Sequence, residues 1–576
     1  MTYCRRLHVL AFGLLAGGLL FFTGCDLPGS NMDEEEEQGD ASVELSANIQ
    51  SDRTLSADTD YVVTSSFCVE NSSTLTIEAG TRLAFESGTG LKVCGDGSAL
   101  VAQGTSSDGI LMTGTTEQSG SWNGVGLNSS NANNELSYVT IEYAGGGELF
   151  TFTNGAAGLQ LKGGTVISVA NSIIRDTDNY GLSAQGGVDL SGFSDNTFEN
   201  NGSTSMNVYA ANMGALDAGT SYGSPVRIND GSISGETLTI SAIGVPYRLS
   251  GVRSIDDGSD VTVEAGTTFE FESGAGLKIG GDATAFQAQG SSSDGILMTG
   301  TTEQPGFWDG VGLNSSNVNN ELSHVTIEYA GGEELYTFTN GAAGLQIKGG
   351  SAVSIANTTI RNNSNYGLSA QGGVDLSGFA GNTFENNETT SMNVRAVNMG
   401  AMDTGTSYGS PVRINDGSIS GEILTISAIG VPYRLSGVRF IDDGSDVTVE
   451  AGTTFEFESG AGLKIDGSAT AFRAQGAQAD SVRLTGTSKQ KGFWDGIGVT
   501  SDNVENEMSY VVVEYAGGEE LYTFSTAGNI QVNGGQLELT NSLIQDSGSY
   551  GLTNDGGSVS ESNNTYRRNE DGARNF

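Results

Sequence analysis

Trp308-Asp-Gly-Val-Gly-Leu313, a polar interval, then Leu322-Ser-His-Val-Thr-Ile-Glu-Tyr-Ala-Gly-Gly332 is the stretch that decides how this chain is built. It occurs three times, opened by Trp122, Trp308 and Trp494, with 186 residues separating the copies in both steps. A fixed period of that length marks a repeat protein before any other reading is tried. Alignment at this interval needs no gap between the first two units: Tyr61, Tyr247 and Tyr433 correspond, as do Gly88, Gly274 and Gly460. Over Gly219–Arg253 against Gly405–Arg439 the one difference is Thr237 becoming Ile423. The expected units are 47–232, 233–418 and a truncated third, 419–576, that closes the array as a C-terminal cap.

Within a unit the texture is a string of short strands. Val261-Thr-Val-Glu-Ala-Gly, Phe269-Glu-Phe-Glu-Ser-Gly and Leu277-Lys-Ile-Gly-Gly each alternate apolar and polar residues and stop at Gly. That is the pattern of a half-buried strand followed by a corner. The strands return every ~20–30 residues, the length of one solenoid turn. Among 576 residues there are 86 Gly and 6 Pro, with the Gly placed at the corners rather than in a collagen triplet. Asn precedes an apolar strand at Asn171, Asn357 and Asn541, and again at Asn196, Asn382 and Asn564. Asn tolerates left-handed turns and stacks between neighbouring coils.

The combination of Ala-Gly-Thr after a strand, Trp-x-Gly and Ile-Glu-Tyr-Ala-Gly resembles the β-helix repeat lipoproteins of Gram-negative bacteria, within the pectate-lyase-like superfamily. The resemblance covers residues 47–576 and implies an all-β, right-handed parallel β-helix rod. About eight coils per unit are expected, ~40 Å per unit and ~100 Å in all at ~4.8 Å per coil. Three separate β-sandwiches are the competing architecture; the joining segments, such as Val226–Gly258, themselves read as strands and Gly corners, which argues against it. The fold hosts lyases, hydrolases, adhesins and structural rods alike, so it does not assign a function.

The first residues are an address. Arg5 and Arg6 precede the apolar run Val9–Phe22, and Phe22-Thr23-Gly24-Cys25 resembles a bacterial lipobox. Residues 1–24 therefore read as a lipoprotein signal peptide and Cys25 as the lipidated residue, which implies an exported protein held at the outer membrane or cell surface. Residues 25–46 carry Asp33-Glu-Glu-Glu-Glu37, a self-repelling run that reads as a disordered tether. The formal charge is −44, so nucleic acid is excluded as a partner, since it requires a basic footprint. Cys68 and Cys94 occur in the first unit alone, with Ser254 and Gly280 in their places one period on, and form a disulfide candidate for an exported protein.

The candidates for chemistry are few. His324, the sole His after the signal, is replaced by Tyr138 and Tyr510 in the other units, which argues against a catalytic acid or base. Strand alternation puts Glu142, Glu328 and Glu514 on the outer face. Asp256, Asp257 and Asp260, with Asp442, Asp443 and Asp446, are turn acids able to offer oxygen ligands to Ca²⁺; no other cofactor motif fits its context. The aromatics are the stronger lead. Trp122, Trp308 and Trp494, if strand parity holds, share the outer face with bare glycines and would stack on a sugar ring; the alternative is that the rings pack across corners and lock the following excursion down. Asn123, Asp309 and Asp495 stand beside them for polar contact, and Tyr336, Phe338, Tyr522 and Phe524 follow in an excursion from the coil. The function expected is a non-enzymatic rod for adhesion, envelope structure or glycan contact. A polysaccharide lyase or glycoside hydrolase on the same scaffold is the alternative, and repetition of nearly every candidate residue weighs against it.

Overall fold

The structure is a computed structural model that describes residues 42–151, 155–337, 341–523 and 525–576. Cys25, Phe152, Phe338 and Phe524 lie outside those residues. Short strands stack into long parallel ladders, closing a right-handed parallel β-helix. One coil of the second unit shows the pattern: Thr268–Phe271, a corner, Gly276–Gly280, a corner, then Ala285–Gln289. Each pairs with its equivalent in the next coil, Phe269 with Met298, Leu277 with Val311, and Ala288 with Leu322. Alternation sends Phe269, Phe271, Ile279, Phe286 and Ala288 inward, and they stack along the axis into one continuous apolar core.

The corners are made in two ways. Asn171, Asn357 and Asn541 take left-handed backbone at φ 51°, 50° and 54°, a conformation Asn accepts more readily than most residues. Asn196, Asn382 and Asn564 tie coil to coil through the main chain rather than by laddering with one another. Each accepts from the backbone N–H of Ser172, Thr358 or Ser542 (3.0, 2.9 and 3.0 Å) and donates to the carbonyl of Val169, Ile355 or Leu539 (2.8, 2.9 and 2.7 Å). Cys68 and Cys94 are disulfide-bonded, with Cα atoms 5.9 Å apart and a sequence separation of 26. The bond joins adjacent rungs of one sheet, in which Cys68 lies opposite Lys92.

The repeat does not close on a whole number of turns. In the first unit Arg82–Phe85 belongs to an eight-stranded sheet, Gly90–Cys94 to a 14-stranded sheet and Ala99–Gln103 to a six-stranded one. Their equivalents one period on are redistributed. Thr268–Phe271 joins the same 14-stranded sheet as Gly90–Cys94, while Gly276–Gly280 belongs to a second 14-stranded sheet that starts at Ile233–Ser234. The path from Gly90–Cys94 along the shared sheet visits Gly124–Asn128, Ala157–Leu161, Tyr180–Ala184, Met206–Tyr209, Val226–Asp230, Tyr247–Leu249 and then Thr268–Phe271. A unit is therefore seven coils plus one strand, not eight coils, and the third unit shifts by one strand again. Equivalent surfaces consequently sit on different faces of the rod. The shift is prepared where coils shorten: the step from Met206 to Val226 is 20 residues, whereas Gly90 to Gly124 is 34. Short 3₁₀ helices, Ala210–Ala215 and Ala396–Ala401, stand at these places.

Candidate functional site

The tryptophans are core residues. Trp122, Trp308 and Trp494 are 0% exposed, each stacked on a phenylalanine of the preceding coil (Phe85, Phe271, Phe457) with ring centres 3.9, 3.9 and 4.0 Å apart. Their indole N–H groups donate to the carbonyls of Glu142, Glu328 and Glu514 at 2.8, 2.9 and 2.9 Å, which satisfies the single polar atom each buries. The expectation of an exposed aromatic platform is therefore overturned. It assumed unbroken alternation from Trp308 to Leu313, but Gly310 stands at φ 109° and the strand begins only there. The Trp falls on the inner side of that break.

The glycines do face outward, and the chain covers them itself. A Cβ at Gly312 would meet Tyr336 at 2.9 Å and Leu335 at 3.0 Å, and one at Gly276 would meet Leu335 at 2.7 Å. Gln346, fully buried, pins this excursion: its Oε1 accepts from the Leu335 N–H at 2.9 Å, and its Nε2 donates to the carbonyls of Asp309 and Glu333 at 3.0 Å. The Tyr336 hydroxyl donates to the Ile279 carbonyl at 2.7 Å, and the Lys278 ammonium lies 4.6 Å from the ring centre. Gln531 and Tyr522 repeat the arrangement, with the Tyr522 hydroxyl donating to Asp466 at 2.8 Å. Burial pushes both phenols well above their ordinary range. Tyr336 and Tyr522 are thus clasps for the excursion rather than a sugar-stacking surface.

The polar neighbours differ between units. The Asn123 amide donates to the Gly88 carbonyl at 2.7 Å. Asp309 and Asp495 take its place without that donor, and burial, with the nearby Glu333 or Glu519 charge, raises both carboxyls above the ordinary range. Glu142 and Glu328, expected on the outer face, are only 10% exposed at the side chain. Glu142 accepts from Thr113 at 2.9 Å and from Arg175 at 2.7 and 3.0 Å. Glu328 accepts from Thr299 and Arg361 at 3.1 and 2.8 Å, and Glu514 from Thr485, Arg483 and Gln545. Carboxylates engaged in this way join coils. His324 sits at a left-handed corner, φ 52°, as do Tyr138 and Tyr510, and what these residues share is a backbone role: their N–H groups donate to the carbonyls of Ala356, Ala170 and Thr540 at 3.1, 3.2 and 3.1 Å.

The turn acids do not gather. Asp257 accepts from the Ser234 hydroxyl at 2.6 Å and Asp443 from Ser420 at 2.7 Å. Asp260 accepts from Gln287 at 2.9 Å, and Asp446 is paired with Arg473. Among the described residues no three His, Cys, Asp or Glu side chains, those of Asp256 and Asp442 included, converge on a point that would hold a metal. The Ca²⁺ candidates are thus dispersed by the fold.

What the molecule does offer are two matched grooves of about 730 Å³, one at each unit junction. The first is lined by Asp189, Leu190 and Ser191 on one side, by Asn212 and Gly214 of the 3₁₀ helix, and by Glu236, Thr237 and Leu238 on the other. The second repeats this one period on with Asp375, Leu376, Ser377, Asn398, Gly400, Glu422, Ile423 and Leu424. In both, the buried Asn of the 3₁₀ helix donates to the main chain of the facing wall, Asn212 to the Val188 carbonyl at 3.0 Å and Asn398 to the Val374 carbonyl at 3.4 Å. The sole difference between the near-identical junction segments, Thr237 against Ile423, falls in the grooves, and Ile423 is 84% exposed. These grooves escaped the sequence reading. Their signal is local: alternation lapses at Ala-Ala-Asn-Met-Gly-Ala and Ala-Val-Asn-Met-Gly-Ala, inside the shortened coil.

Residues 47–146 match the family model described as the pectate-lyase like beta helix domain, and no curated protein matches the chain. The match covers the first coils, and parallel ladders of the same kind continue to Gly572–Asn575, so the fold from Ser42 onward is that of a parallel β-helix.

Proposed function

We propose that this protein is an exported, lipid-anchored rod without catalytic activity, which meets other molecules at the cell envelope through its junction grooves. One observation carries the reading. The grooves recur with the same lining at a 186-residue spacing, a multivalent arrangement, whereas the aromatics expected to contact a ligand, and the matched carboxylates expected on the outer face, are engaged in holding coils together. Glycosidase chemistry needs two free carboxyls at a set separation, and Glu142 and Glu328 are each held by an arginine of the following coil. Cys25 supplies the membrane attachment in this reading, through its resemblance to a lipobox residue.

The test has two arms. Incubation of the full chain with a panel of neutral and anionic polysaccharides is expected to yield no new reducing or unsaturated ends. Turnover abolished by one substitution would replace this reading with the lyase or hydrolase one. Metabolic labelling with a fatty acid is expected to mark the chain, and Cys25→Ala to remove the label.

A further inference from the structure

Both grooves are places where sheets end. The six-stranded sheet of the first unit terminates on Asp189–Ser194, and the five-stranded sheet of the second begins on Thr237–Ile240; residues of both strands line one groove. At the next junction Ile423–Ile426 is the first strand of its sheet and again lines the groove, facing Asp375 to Ser377. The main-chain groups that point into the groove follow from the ladder. Asp260 N–H donates to the Glu236 carbonyl at 2.8 Å, and Asp446 N–H to the Glu422 carbonyl at 2.8 Å. In a parallel pair the alternate residues then turn their N–H and C=O the other way. Those residues are Thr237 in the first groove, with Thr239 next along the same edge, and Ile423 and Thr425 in the second. A terminal strand with its edge open is a template for a further strand. Elsewhere along these ladders the neighbouring coil supplies that strand; at the junctions the 3₁₀ helix lies alongside instead, Gly214 against Leu238 and Gly400 against Leu424, without main-chain hydrogen bonds to Thr237–Ile240 or Ile423–Ile426.

We infer that each junction groove binds an extended, basic polypeptide segment, which pairs main chain to main chain with the open edge of Thr237–Ile240 or Ile423–Ile426. This deepens the proposed function, on which it rests. The chemistry of the occupant follows from the walls. Carboxylates border both sides, Asp189 and Glu236 in one groove, Asp375 and Glu422 in the other, and all four are exposed. No Lys or Arg lines either groove. A strand whose outward side chains are Lys or Arg would meet opposite charge along its length, and backbone pairing supplies the rest of the recognition without demanding one sequence. Ile423 offers apolar contact where Thr237 does not, so the second groove favours a peptide carrying an aliphatic residue beside its basic ones.

The experiment titrates the full chain with a fluorescent peptide of about ten residues, the span of a long strand, alternating Lys with Thr or Val. Saturable binding is expected, weakened at least about tenfold when alternate peptide nitrogens are methylated, which removes pairing hydrogens without touching the protein. Glu236→Gln with Asp189→Asn is expected to remove one of two sites, and Glu422→Gln with Asp375→Asn the other. Thr239→Pro and Thr425→Pro, which delete one outward N–H each, are expected to do the same with an unchanged circular-dichroism spectrum. Equal binding of the methylated peptide, or of its all-Glu counterpart, would overturn the inference. Polysaccharide binding that responds to the same groove substitutions, with no peptide bound, would overturn the peptide and keep the grooves as contact sites. If no peptide binds and the substitutions move no polysaccharide or surface binding, both this inference and the groove reading fail.

Discussion

Trp308 is held by two unlike interactions at once, a 3.9 Å stack on Phe271 and an indole hydrogen bond to a main-chain carbonyl. Trp308→Ala is accordingly expected to cost about 3–5 kcal/mol of local stability through the cavity it leaves, measured by denaturant unfolding, with groove binding at the intact junctions retained. Asp309 permits a finer test because the first unit carries Asn123 in its place. Burial raises the Asp309 carboxyl above its unfolded value, so the native state holds the neutral form more firmly than the unfolded chain. Its contribution is most favourable below the unfolded pKa and is lost as pH rises through the folded one. Asp309→Asn should therefore stabilise the protein at neutral pH, by about 0.5–1.5 kcal/mol if it also makes the hydrogen bond Asn123 makes. The advantage should fade below about pH 4, where the native carboxyl is neutral; unfolding at pH 7 and pH 3.5 checks both signs. The sequence shows these residues as matched triplets. It does not show on which side of the wall they fall, because one glycine with positive φ resets the parity that the inference depends on.

The excursion and its glycine strand form an element in which each part explains the other. Gly312 is bare because Leu335 and Tyr336 lie on it, and they stay there because Gln346 binds the backbone on both flanks. Gly312→Ala should lift the excursion, read as faster hydrogen exchange at Leu335 with the Trp308 pocket still protected. Gln346→Leu should act in the same direction and more strongly, since it leaves three buried main-chain groups without partners at about 1–3 kcal/mol each. At the N-terminal end the Cys68–Cys94 bond closes a loop worth about 3–4 kcal/mol in the chain-entropy account. Reduction should therefore open the first coils to protease before the later ones, as expected of a solenoid whose coils contact only their neighbours. Strand positions were legible in the sequence because alternation and Gly corners report directly on burial and turning. The junctions were not, because the 3₁₀ helices carry no period of their own, and the count of coils depends on which short segments complete a turn.

For the whole molecule the decisive property is that a unit ends one strand past its seventh coil. Had each unit closed on complete turns, equivalent strands would share sheets along the rod and the terminal strands of the minor sheets would meet no break. Instead the major sheets pass from one strand type to another, the minor sheets stop and restart, and a groove opens where they do. The proposed contacts depend on that offset. It is tested most directly by cysteine pairs placed across the first junction. Arg227 lies opposite Arg248 in the shared sheet, the neighbouring-rung separation that suits a disulfide. Ser254, the counterpart of Cys68, lies in the second 14-stranded sheet, opposite Lys278. Under mild oxidation Arg227→Cys with Arg248→Cys should cross-link in nearly every molecule, read by mass spectrometry of the linked peptides, and Arg227→Cys with Ser254→Cys should not. Cross-linking of the Arg227/Ser254 pair in place of the Arg227/Arg248 pair would mean that units close on whole turns, and would contradict the origin of the junction grooves.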